Sequence, residues 1–69
     1  MSDARLGNRL KEARAEQGLT QAELALKVKV SRKTINTVEN GVFTPSTTLA
    51  LTLARALDRR VEDLFYLLD

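Results

Sequence analysis

One stretch, Thr20 to Gly41, constrains this chain more than any other: TQAELALKVKVSRKTINTVENG. Thr20 followed by Glu23 is a capping box. The hydroxyl accepts from the N–H three residues on, and the carboxylate reaches back to the cap's own N–H. Leu19 is spaced to staple onto Leu24. Leu24, Ala25 and Val28 give this helix one apolar face, and it ends near Lys27 or Val28. After only Val28-Lys29-Val30, Ser31 supplies a second cap, and Val30 and Ile35 repeat the staple spacing. Ile35 and Val38 point inward, Lys33, Thr37 and Asn40 lie opposite them, and Arg32 projects from the first turn. Asn40-Gly41 stops the helix. The stretch therefore predicts two short helices joined by a tight turn.

The flanks read as the minimum that holds this pair rigid. Ser2 or Asp3 caps a first helix whose stripe is Leu6, Leu10 and Ala13, ended by Gly18 in the left-handed conformation. Gly7 inside that helix costs about 1 kcal/mol against Ala and points to close packing. Beyond Val42-Phe43-Thr44-Pro45, Ser46 caps a fourth helix with Ala50, Leu53, Ala54 and Leu57 inside and Leu49 beside them. Val61, Leu64, Phe65 and Leu68 follow the i, i+3, i+4, i+7 spacing of a fifth. Nothing alternates with period two, so no strand is expected. The expectation is one all-α domain over 1–69, a compact five-helix core with mostly local contacts and fast folding.

With 69 residues, about 60% of the unfolded surface can be buried, so stability is marginal without good packing or a partner. The chain has no Cys and no His, which removes disulfides, thiolate zinc sites and imidazole catalysis together. There is no Gly-rich phosphate loop and no carboxylate pair with reason to converge. Asp58, Glu62 and Asp63 read as helix-terminus charges. No enzyme, metal site or cofactor is expected. No apolar run approaches the ~18 residues of a membrane span and no signal-peptide core opens the chain, so a cytoplasmic location is expected. The net charge is +2, but residues 1–45 hold eight Lys/Arg against five Asp/Glu while 46–69 hold three against four. Between Glu23 and Glu39 stand Lys27, Lys29, Arg32 and Lys33 and no acid. That is a basic patch suited to a polyanion, or else a solvated face.

Gln21, Glu23, Leu24, Ala25, Val30, Ser31, Thr34, Ile35, Glu39, Asn40 and Gly41, in this joint spacing, resemble the Cro/C1-type helix-turn-helix family, the lambda-repressor-like DNA-binding domain. The likeness continues through Arg14, Gly18-Leu19-Thr20, Pro45-Ser46, the Ala50 to Leu57 helix and Glu62-Asp63-Leu64-Phe65, nearly the whole chain. Ala25 is the small residue such a helix pair needs at its crossing. Two positions depart from the family: Lys29 in the turn and Asp58 after the fourth helix, where Gly is usual. A left-handed non-Gly residue costs roughly 1 kcal/mol, less for Asp. Leu26 stands where a polar residue is usual.

The resemblance implies that the third helix enters the major groove of double-stranded DNA. Carried over by position, Arg32, Lys33 and Thr37 are base-reading candidates, with phosphate contact the alternative for the two cations. Gln21, Ser31, Thr34, Asn40 and Lys29 are phosphate candidates, Ser31 also reaching a base and Asn40 also serving as a helix cap. Arg14 and Glu39 resemble a family ion pair with a structural role. Phe65, Tyr66, Leu67, Leu68 and Leu51 suggest a dimer built near 61–69 for a palindromic operator, or Phe65 and Leu68 simply close the core. The function expected is a dimeric transcriptional repressor controlled by concentration, a protein partner or degradation. The alternatives are an antitoxin, a restriction–modification controller, or a protein-interaction module that no longer binds DNA.

Overall fold

In the computed structural model, which describes residues 5–68, seven elements follow one another: β1 (Leu6–Asn8), α1 (Leu10–Glu16), α2 (Gln21–Val28), α3 (Arg32–Glu39), α4 (Thr47–Ala56), α5 (Val61–Leu64) and β2 (Phe65–Leu67). The caps read from sequence at Thr20, Ser31 and Ser46 are in place. Thr20 Oγ1 accepts from the Glu23 N–H at 3.0 Å, and the Glu23 carboxylate accepts from the Thr20 N–H at 2.8 Å. Ser31 and Ser46 accept from the N–H groups of Thr34 and Leu49, each at 3.1 Å. Lys29 and Asp58 take the left-handed conformation, with φ of 62° and 54°.

The core is Leu10, Ala13, Leu24, Ala25, Val28, Ile35, Val38, Leu53, Ala54, Leu57, Leu64 and Phe65. Each helix contributes buried apolar residues, and the exposed faces are mostly polar, with Leu26 on α2 and Leu51 on α4 as exceptions. Val30, in the α2–α3 turn, packs half-buried against this core.

Two expectations are corrected. The first helix begins at Leu10, not before Leu6, and the Ser2 or Asp3 cap lies outside the described residues. The fifth helix ends at Leu64. The chain on either side of the bundle is extended instead. β1 and β2 pair antiparallel, with Leu6 opposite Leu67, Gly7 opposite Tyr66 and Asn8 opposite Phe65, so the fold is five helices with a small sheet rather than all-α. The sheet is tied in at both ends: the Arg9 N–H donates to the Leu64 carbonyl at 2.8 Å, and the Leu68 N–H to that of Arg5 at 2.9 Å. Gly7 does serve close packing, though in a strand. A Cβ there would meet the Tyr66 ring, with Cζ at 2.7 Å, and Leu68 Cδ2 at 2.9 Å. The Arg9 guanidinium lies 4.8 Å from the same ring's centroid, a favourable cation–π distance.

Asn8 is the residue whose role the sequence hid. Its Oδ1 accepts from the Leu10 N–H at 3.1 Å, an orphan donor of α1, while its Nδ2 donates to the Val38 carbonyl at 3.0 Å. One side chain thus starts α1 and clasps the end of α3.

Candidate nucleic-acid interface

The face that matters is the outer side of α3. Ile35 and Val38 anchor the helix in the core, being 0% and 2% exposed. Arg32, Lys33 and Asn36 are exposed and line one shallow cleft. Thr34 and Thr37 are half-buried beside them. Lys27, Lys29, Arg32 and Lys33 are all exposed, and none is in an ion pair among the described residues. Their charge is therefore available to an anion, and the helix N-terminus adds a positive dipole end.

The expected ion pair is formed, and it does more than join two residues. Arg14 Nε donates to Glu39 Oε2 at 2.6 Å and Nη2 to Oε1 at 3.3 Å. Arg14 Nη1 donates to the Leu19 carbonyl at 2.8 Å, and Gln21 Nε2 donates to Glu39 Oε1 at 3.0 Å. Because the Glu39 side chain is 3% exposed and that of Arg14 14%, the charges are shielded from water and the geometry is held. This knot fixes the start of α2 and the end of α3 against α1. It also engages Gln21, whose amide the sequence offered to a phosphate. One of that amide's N–H groups is committed to Glu39, leaving its carbonyl and second N–H outside this contact.

The remaining polar candidates hold each other. The Ser31 and Thr34 hydroxyls are 2.9 Å apart, Thr37 Oγ1 donates to the Thr34 carbonyl at 2.9 Å, and Asn40 Nδ2 donates to Asn36 Oδ1 at 3.2 Å. These contacts limit rotamer freedom before anything binds, which lowers the ordering cost of a complex.

In the C-terminal segment, Phe65 is 9% exposed and belongs to the core, so it has little surface left for a partner. Leu68 does not close the core: it is 52% exposed, with Leu67 at 65%, Leu51 at 54% and Tyr66 at 37%. Leu26 is also exposed, and nothing in the structure explains it. Val42 and Phe43, which the sequence presents simply as loop, stand exposed next to Thr37. Two consecutive apolar residues between Gly41 and Pro45 are the signal that could have found them. Among the described residues no group of acidic side chains could hold a metal ion, and no helix is long and apolar enough to cross a membrane.

A capped short helix, a left-handed turn and a second capped helix that turns a basic, polar face outward make a helix-turn-helix DNA-binding protein. Comparisons agree: the helix-turn-helix family model matches residues 10–64. An uncharacterized HTH-type transcriptional regulator of Archaeoglobus fulgidus is 51% identical over 57 residues, covering 83% of this chain and 81% of its own. Among solved structures, the restriction–modification controller protein C.AhdI from Aeromonas hydrophila superposes with a TM-score of 0.76 at 36% identity, covering 80% of each chain. SinR, the master regulator for biofilm formation, in complex with DNA, gives 0.73 at 29% identity over 78% of this chain and 87% of its own. The chain belongs to the Cro/C1-type helix-turn-helix family of DNA-binding transcriptional regulators.

Proposed function

We propose that this regulator binds a palindromic operator as a homodimer, with α3 of each protomer in the major groove, and acts as a repressor in the cytoplasm. The observation that carries the reading is α3 itself, a helix locked into the core on one side that presents exposed Arg32 and Lys33 on the other, in no ion pair among the described residues. In this reading Arg32 and Lys33 donate to guanine O6 and N7, and Thr37 meets a thymine methyl. Lys29, Ser31, Thr34, Asn40 and the free portion of the Gln21 amide contact phosphates on either side. Tyr66, Leu67, Leu68 and Leu51 pair the protomers. The test is selection of sites from a random duplex pool at near-physiological salt, repeated with Lys33→Ala. A palindromic consensus that relaxes at one position per half-site in the variant is the expected result. Binding without enrichment, fading steeply with salt, would leave only backbone contact and end the sequence-reading claim.

The likeness to C.AhdI favours a second reading of the same chemistry, control of a restriction–modification system. A methylase gene carrying the selected site in its promoter is the observation that separates it from a general repressor.

A further inference from the structure

We propose that the cleft between α3 and the loop after it receives the C5-methyl group of a thymine, with Val42 and Phe43 as specificity-determining residues beside Thr37. The inference rests on the placing of α3 in the major groove and extends it to residues outside that helix.

Val42 is 79% exposed and Phe43 47%, two apolar side chains left in water where the chain could have placed polar ones. Their position is not free. The N–H groups of both donate to the Thr37 carbonyl, at 2.9 and 3.2 Å, and the Gly41 N–H donates to that of Val38 at 3.1 Å. Gly41 makes the turn at φ 74°. The loop is thereby pinned to the last turn of α3, and its side chains form one wall of an open cleft of about 340 Å³. Ser31, Lys33, Thr34 and Thr37 form the other.

The chemistry of that second wall is narrower than its residue types suggest. The Thr37 hydroxyl already donates to the Thr34 carbonyl, and the hydroxyls of Thr34 and Ser31 bond each other. One O–H of the Ser31–Thr34 pair stays free for a phosphate, the Thr37 O–H is taken, and the threonine methyl groups remain for an apolar contact. The lining of the cleft is therefore mostly apolar, with Lys33 as its one charged residue. In the major groove a thymine presents a methyl group beside an anionic backbone, and Thr methyls and Phe are suitable partners for it. A second copy of this chain is a poorer occupant, because docking this face on itself would set Arg32 and Lys33 against their own like charges.

The test uses a duplex selected as above, with each thymine of a half-site replaced in turn by deoxyuridine, which removes only the methyl. Affinity is measured by anisotropy for the natural chain and for Val42→Ser, with a thermal melt of each. At one thymine per half-site, deoxyuridine should weaken binding about fourfold, the value of one buried methyl. In Val42→Ser that ratio should fall toward one while the melt is unchanged. Insensitivity at every thymine, with Lys33→Ala still relaxing the consensus, overturns this inference and leaves the α3 reading standing. Absence of any selected consensus overturns both. A Val42→Ser chain that keeps the ratio but loses self-association would assign the loop to a protein interface and likewise overturn it.

Discussion

The Glu39 carboxylate joins three helices through hydrogen bonds from Arg14 and Gln21. Removing either member of a shielded pair leaves a lone buried charge, so Arg14→Ala and Glu39→Ala should each destabilise by about 3 kcal/mol. The double variant should lose far less than their sum. Additive losses in denaturant melts would rule the coupling out. Lys29 and Asp58 carry the opposite lesson, since both sit where Gly is at ease. Lys29→Gly and Asp58→Gly should each stabilise by about 0.5–1 kcal/mol, raising the melting temperature by a few degrees. Lys29→Gly should also lower the salt slope of DNA binding by about 1 if the ammonium contacts a phosphate.

At the level of elements, α2, α3 and α4 rest on caps that local chemistry specifies, and these are readable in the sequence. The Thr20–Glu23 box also has a pH signature. Hydrogen bonds from Thr20 hold the Glu23 carboxyl below the usual carboxylate range. Its folded pKa is thus lower than its unfolded one, so its stabilisation is present above the unfolded value and fades as pH falls through the folded one. Glu23→Gln, which cannot titrate, should make melting less sensitive to acid; an unchanged profile would mean the box contributes nothing. The strands are not readable. Three residues are too few to show a period of two, while Leu6, Leu10 and Ala13, and Val61, Leu64, Phe65 and Leu68, happen to fit a helical period. Only the pairing across the whole chain makes Leu6–Asn8 and Phe65–Leu67 extended, and no local signal encodes it. The same holds for Asn8, whose partner Val38 is thirty residues away. Tyr66 is the only tyrosine and there is no tryptophan, so its emission reports on the sheet. Gly7→Ala should displace the ring, change that emission and destabilise by about 1 kcal/mol; unaltered emission would deny the contact.

For the molecule as a whole, two exposed surfaces differ in chemistry, and Phe43 lines clefts of both. One is basic and grouped on α3. The other is apolar: Leu67 and Leu68 line one cleft and Leu51 a second, with Leu6 lining both, and Tyr66 is exposed beside them in sequence. Helical stripes and caps make the first legible. The second is only half so, because Phe65 reads as a member of it and is spent on the core. If the apolar surface pairs protomers, Leu67→Lys should sediment as a monomer at micromolar concentration and lose most of its affinity for a two-half-site operator. Dimers surviving that change would move the interface elsewhere. The sheet has a mechanical consequence as well. Leu6 and Leu67, the outermost residues of the two strands, face each other, so tension on both ends of the chain loads the ladder like a zipper rather than in shear. Its bonds would break in succession, at low force, and the first thing uncovered beneath them would be Phe65. A machine that pulls on both flanks of this regulator meets that seam first.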